Sequence, residues 1–319
     1  MTNKEKYKIF CEKENNIPIF SKSWWLDCVC GTQNWDVAIV EKGGEVMASM
    51  PYYYTKKSIF NIITMPKLTQ TMGPYIKYPN GQKYYKRISW EKEIIDLLLE
   101  QLPSYDYFIQ NFNHDISNWL PFYWKNFSQT IRYTYIIDNK EINGDIEKTL
   151  LTESRRRRIK KARKMDIQIL ESDDIELFYK LNKKTFQRQK MKIPYSFDYV
   201  KKLYESCKTN DSVKIYFALF EDKVIAANFL IFDNNTVYYL MGGIEPEMSD
   251  LGAMDLIQLE SIKFAIENDK IFDFEGSMIE NIEKYFRSFG ARQKSYSQIT
   301  KTNSKLSKIR NFLVNDLRK

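Results

Sequence analysis

Residues 120–137, LPFYWKNFSQTIRYTYII, and residues 282–299, IEKYFRSFGARQKSYSQI, lie over one another without a gap. In that overlay Tyr123 meets Tyr285, Trp124 meets Phe286, Lys125 meets Arg287, Phe127 meets Phe289 and Ile137 meets Ile299. Eighteen positions with three identities carry little alone, so the order of the flanking elements decides whether the chain is duplicated. Upstream of each stretch stands a helix-like run and then a short apolar strand: residues 90–102 before YDYFIQNF, and residues 255–268 before IFDFEGS. Further upstream, DVAIVEKGGEVMASMP turns at Lys42-Gly43-Gly44, and YFALFEDKVIAANFL turns at Glu221-Asp222-Lys223. Both read as hairpins between apolar strands. The same parts occur twice in one order, which predicts two similar α/β units, residues 1–140 and 141–319, each of ordinary domain size.

With 28% charged and 43% hydrophobic residues, the 319-residue chain has the composition of a soluble globular protein with two cores. The longest apolar run, Val224 to Phe232, is half a membrane span, and the opening MTNKEKYKIFCEK is charged rather than signal-like. A cytoplasmic location is expected. Cys11, Cys28, Cys30, Cys207 and the single His114 have no zinc-site spacing, so reduced thiols and no metal are expected. His114 has no nucleophile motif nearby and reads as a loop residue.

The net charge of +8 is concentrated: Arg155, Arg156, Arg157, Arg158, Lys160, Lys161, Arg163 and Lys164 fall within ten residues. Interrupted only by Ile159 and Ala162, this stretch reads as a helix with cations around most of its circumference, suited to a polyanion such as nucleotide phosphates, a lipid-linked precursor, tRNA or an anionic membrane. A solvated linker helix is the plainer alternative.

Downstream, DIQILES reads as a strand, and Asp173 or Asp174 caps the helix IELFYKLNKKTFQRQ. A further helix opens at Ser196-Phe197-Asp198. Three antiparallel strands follow at residues 215–220, 224–232 and 236–241, the last broken by Gly242-Gly243. The helix LGAMDLIQLESIKFAIEN is apolar on most faces and should be buried. In the final helix Ser277-Met278-Ile279-Glu280 matches a capping box, Ile279, Ile282, Phe286 and Phe289 form a stripe, and Gly290 sits at the C-terminal cap.

This order of elements resembles the GNAT acyltransferase fold. SRRRRIKKARK, NKKTFQRQ and FDFEGSMIENIEKYFRSFG resemble the FemAB-like and BioF2-like branch, whose members carry two GNAT-like units, each a mixed, mainly antiparallel sheet with helices on both faces. The resemblance implies acyl transfer from an acyl-CoA or an aminoacyl-tRNA, with no permanently bound cofactor, to an amine on a nucleotide- or lipid-linked cell-envelope precursor. Members using charged tRNA carry Phe-Lys where this chain has Phe286-Arg287, and arginine does not replace lysine freely at a tight site. In GNAT enzymes a glycine-rich turn opening the central helix cradles the CoA pyrophosphate; the matching Gly252-Ala253 has one glycine with Asp250 beside it. Arg188 lies where the family often places an arginine for acceptor phosphate.

Acyl transfer to an amine needs a base and oxyanion donors. Glu275, at a strand end beside Gly276, is the candidate base, and Asp273 shares its face by period two. Backbone N–H groups around Met241, Gly242 and Gly243, with Arg287 nearby, are the candidate oxyanion donors. Arg188, Phe286, Arg156, Lys160 and Tyr239 are the candidate substrate contacts. Two other readings compete: a non-catalytic module holding RNA or glycan on the basic helix and on Trp119, Phe122, Tyr123 and Trp124, and peripheral attachment to an anionic membrane. No stable protein partner is expected, and the second half is the expected catalytic one.

Overall fold

A computed structural model describes residues 1–138, 140, 142 and 144–304. The described residues divide into two compact units: Met1–Arg132 with residues 295–304, and Tyr133–Lys294. The first contains α1 (Asn3–Lys13), α2 (Ser23–Cys30), β1 (Trp35–Lys42), β2 (Glu45–Lys57), β3 (Phe60–Thr64), β4 (Tyr75–Ile76), α3 (Tyr84–Glu100), β5 (Tyr107–Asn111), α4 (Leu120–Trp124) and the start of β6 (Ser128–Ile137). The second takes β6 from Tyr133 on, then α5 (Ile146–Leu150), α6 (Glu153–Lys164), β7 (Gln168–Glu171), α7 (Ile175–Arg188), α8 (Phe197–Thr209) and β8 (Val213–Phe220). It continues through β9 (Lys223–Phe232), β10 (Thr236–Ile244), α9 (Ala253–Glu267), β11 (Ile271–Asp273), α10 (Glu280–Arg287) and the first residues of β12 (Arg292–Thr302).

Both hairpins form where the sequence places them. β1 and β2 join through Gly43 and Gly44, at φ 61° and 82°, and β8 and β9 join through Glu221 and Asp222, at φ 47° and 60°. Two successive left-handed residues match the right-handed twist of the flanking strands, and the second turn pays for that match without glycine. In the first unit β1, β2, β3, β5 and the end of β12 form one sheet, with β4 on β2. In the second, β6, β11, β10, β9, β8 and β7 follow in that order.

The duplication is written into the ladders. β11 meets β6 with Phe272 opposite Ile137 and Asp273 opposite Ile136. β5 meets β12 with Gln110 opposite Ile299 and Asn111 opposite Gln298. The overlay that sets Leu120 on Ile282 carries each of these pairs onto the other. It also carries the bond from Phe112 N–H to the Ser297 carbonyl (2.8 Å) onto that from Phe274 N–H to the Tyr135 carbonyl (3.0 Å). The two final strands have exchanged sheets: β6, from the first sequence repeat, completes the second unit, and β12 completes the first. The unit boundaries therefore fall inside strands, at 132/133 and 294/295, instead of at the expected 140/141.

Each unit has its own core. In the first, Phe108, Phe112, Phe122, Phe127 and Ile299 pack with α3 residues Ile94, Ile95 and Leu98. In the second, Phe272, Phe274, Phe286 and Phe289 pack beneath α9, which is buried around most of its circumference as its composition predicts. All four cysteines are buried, and burial pushes the Cys30 thiol up to about 12, far from a reactive thiolate. Among the described residues no helix is long and apolar enough to cross a membrane.

The β8–β9 turn is a direct stability test. Replacing Glu221-Asp222 with Asn-Gly, the residues this turn favours, should raise stability by about 1 kcal/mol in urea denaturation.

Candidate active site

β10 and β11 run parallel for only three pairs, Thr236 with Ile271 through Tyr238 with Asp273. β11 then ends, while β10 continues to Ile244 against β9. The expected break at Gly242-Gly243 does not occur: Gly242 pairs with Asn228 and Gly243 with Ala227, and the irregularity is a bulge between Tyr239 and Met241. The glycines serve close approach. A Cβ on Gly243 would lie 2.6 Å from the Asn182 backbone nitrogen of α7, and one on Gly242 would lie 2.0 Å from the Tyr239 hydroxyl.

The Gly242 carbonyl turns from β9 to accept from Asn182 Nδ2 at 2.7 Å, and Asn182 Oδ1 accepts from the Tyr195 hydroxyl at 2.9 Å. In an antiparallel pair the N–H and C=O of one residue point the same way. The Gly242 N–H is therefore aimed off β9, toward the side where β11 has stopped. Asn182 was not visible as a site residue in the sequence, yet a signal exists. It is a buried amide beside Phe178 and Leu181 on the apolar stripe of α7.

Where β11 ends the backbone turns through two left-handed residues, Glu275 (φ 59°) and Gly276 (φ 69°). Gly276 is required: a Cβ there would come 2.1 Å from the Tyr133 carbonyl of β6. Asp273, fully buried, accepts from the Thr134 hydroxyl and, at 2.7 Å, from the Glu275 backbone N–H. Glu275 is half-buried as a residue, but its Oε1 is enclosed and has no hydrogen-bond partner. Burial, with the Asp273 carboxylate nearby, pushes the Glu275 carboxyl well above the ordinary carboxylate range. Tyr238 feels both carboxylates. Burial also pushes the Tyr239 hydroxyl up, keeping it a neutral donor.

The turn disrupts the expected capping box. α10 begins at Glu280 with Ile279 in the cap position, and Ser277 instead accepts from the Ile279 N–H at 3.0 Å. Ile279 is exposed, so the apolar stripe begins at Ile282.

Arg287 lies on the outer face of α10, with its Nε on Glu283 Oε1 at 2.8 Å. Phe286 is core, its ring 4.7 Å from that of Phe274, and offers no surface to a substrate. Arg188, at the end of α7, and Lys160, on α6, are exposed. Arg156 caps α5 through the Leu151 carbonyl at 2.9 Å.

The basic helix is partly an internal clamp. Asp255, in the first turn of α9 and 1% exposed, receives Arg155 on Oδ1 and Arg158 Nε on Oδ2 at 2.6 Å. Arg158 also reaches the Ser249 carbonyl at 2.9 Å, and Lys161 reaches that of Asp250 at 2.9 Å. Gly252 is left-handed (φ 83°), and a Cβ on it would lie 2.4 Å from the Arg158 carbonyl; Ala253 is fully buried. The turn matched to a pyrophosphate cradle is thus covered by α6. Nothing in the sequence marked Asp255, because an acidic residue in a first helical turn is ordinary.

Residues 152–286 match the profile of the acetyltransferase (GNAT) domain family. The matched stretch lies within the second unit. Over nearly its whole length the chain is similar in fold to FemX, with a TM-score of 0.69 at 12% identity, covering 93% of this chain and 96% of that one. It is also similar to L-PGS from Bacillus licheniformis (0.57, 12%, 98% and 96%) and to a tandem GNAT protein from the clavulanic acid biosynthesis pathway (0.50, 6%, 94% and 93%). A search of curated proteins finds no match. The FemAB-like, two-unit GNAT fold expected from the sequence is the one observed.

Two substitutions separate the structural roles here. Asp255→Ala strands two guanidinium groups and should cost about 3–5 kcal/mol in denaturant unfolding. Glu275→Gln should do the reverse. A carboxyl whose folded pKa is raised loses stability as pH climbs from the ordinary carboxylate range to the raised value, so the glutamine variant should gain on the parent as pH rises. Parallel unfolding curves at acidic and neutral pH check the sign.

Proposed function

We propose that this chain is an N-acyltransferase whose second unit moves an acyl or aminoacyl group from an activated donor to an amine of a cell-envelope precursor. The observation that carries the reading is Glu275: an enclosed carboxylate with a free oxygen and a raised pKa, where β11 stops and β10 runs on. A raised pKa makes the ionised carboxylate a stronger proton acceptor. The amine nitrogen attacks the acyl carbonyl and Glu275 takes its proton as the C–N bond forms. The carbonyl electron pair moves onto oxygen, where the Gly242 N–H is the donor, and collapse expels the donor's thiolate, or its ribose oxygen with the proton passed on from Glu275. Asn182 and Tyr195 hold the Gly242 peptide in place.

The first unit supports this assignment by contrast. The repeat overlay puts Asn111 and Asn113 where the second unit has Asp273 and Glu275, so both carboxylates become amides. Beside β5, at the place that matches the end of β11, the first unit is filled by its own chain. Met72 N–H donates to the Asn111 carbonyl at 2.7 Å, Asn111 Nδ2 reaches the Gln70 carbonyl at 3.0 Å, and Gly73 lies against the Phe112 ring. Lys125, the counterpart of Arg287, is occupied by Asp96 at 3.3 Å.

The covered Gly252 turn favours a donor not held by its pyrophosphate at that turn, and thus a charged tRNA over acyl-CoA. The acceptor is a nucleotide- or lipid-linked sugar or peptide, with exposed Arg188 and Lys160 available to its phosphates.

Acetyl-CoA and mixed aminoacyl-tRNA, each supplied with cell-envelope precursors, test the reaction, and Glu275→Gln tests the base. The variant should lose about 100-fold or more in kcat. It should also lose the rise in rate with pH that the parent shows as Glu275 deprotonates. Activity lost in Lys125→Ala but kept in Glu275→Gln would move the reaction to the first unit.

A further inference from the structure

The duplicated helix buries its aromatic pair in one unit and exposes it in the other. In α10, Phe286 is 5% exposed, and Tyr285 is half-buried with its hydroxyl toward the Met254 carbonyl at 3.4 Å. Their counterparts in α4, Trp124 and Tyr123, are 53% and 57% exposed, and Leu120 beside them is 45% exposed. The rest of α4 keeps the common pattern, with Phe122 and Phe127 in the core. Trp119 stacks edge-on against Tyr123 at 5.3 Å, which fixes that ring outward without covering it. An apolar cluster of this kind on a folded surface is costly unless something else covers it.

Cations surround the cluster. The Lys92 ammonium of α3 lies 5.8 Å from the Trp124 ring, Lys125 follows Trp124 directly, and Lys301 of β12 lies 4.8 Å from the Phe127 ring. Against these three stands Asp96, bridged to Lys125. Tyr85, 63% exposed, extends the same face of α3 two turns before Lys92. Tryptophan and tyrosine with an aliphatic neighbour, ringed by lysines, match the boundary between lipid headgroups and acyl chains. Rings sit there at the headgroup level while ammonium groups meet anionic phosphates. A second copy of the same face would set cations against cations.

We propose that the α3–α4 face of the first unit docks on an anionic lipid surface through Leu120, Tyr123 and Trp124, with Lys92, Lys125 and Lys301 toward the phosphates. This membrane contact is distinct from the basic helix, whose Arg155 and Arg158 are committed to Asp255. It stands independently of the transfer reaction, because docking is scored without substrate.

The test is co-flotation of the full chain with vesicles of phosphatidylcholine alone and of phosphatidylcholine with phosphatidylglycerol. The parent should float with the anionic vesicles only. Tyr123→Ser/Trp124→Ser, surface changes that leave the core intact, should lower partitioning about tenfold. Lys160→Glu/Lys164→Glu on α6 should lower it far less. Undiminished flotation of the aromatic variant, loss confined to the α6 variant, or no flotation of the parent would overturn the proposal. So would retention of single-stranded RNA by the parent, lost in the aromatic variant, with no vesicle binding.

Discussion

The short parallel contact between β10 and β11 is the constraint on which the second unit depends. Three residue pairs hold β11 on one side and two hold it on the other, against β6. Because the contact ends at Asp273, the backbone is free to turn at Glu275 and Gly276, and the outer edge of β10 is left for α7 to hold at Gly242. A longer β11 would satisfy that edge with a strand and carry residue 275 into the sheet. The enclosed carboxylate and the aimed N–H group thus arise from one truncation.

Much of this was legible in the sequence, because it rests on local chemistry. Two-residue turns between apolar runs, Asp174 and Ser196 as helix caps, and the all-round apolar α9 each follow from side chains and their near neighbours. The repeat was legible too, and its overlay proved to be the ladder register. What misled was chemistry decided by distant partners. Gly242-Gly243 looks like a strand breaker, but α7 and Tyr239 press on those positions from opposite sides, and only a residue without a side chain fits. Ser277 and Glu280 have capping-box spacing, yet the left-handed pair before them sends the chain into the helix two residues late.

Charge was the hardest feature to read. A run of eight cations suggests a surface that seeks polyanions, and composition cannot tell which of them will be drawn inward. The structure turns Arg155 and Arg158 onto one carboxylate and lays the helix across the start of α9. Where a helix N-terminus can hold phosphate, the start of α9 meets a buried ion pair and a backbone carbonyl. Such a pair contributes more to fixing the position of α6 than to net stability.

The exchanged final strands bear on how the chain is made. The first unit has most of its parts by Arg132, but β5 lacks one neighbour until residues 298–302 have been synthesised. During translation that strand edge, flanked by Phe108 and Phe112, waits through the whole second sequence repeat before its partner emerges. An unpaired edge of this kind invites pairing with other chains. The first unit is therefore first in sequence and last to be completed, and completing it closes a loop that encloses the entire second unit.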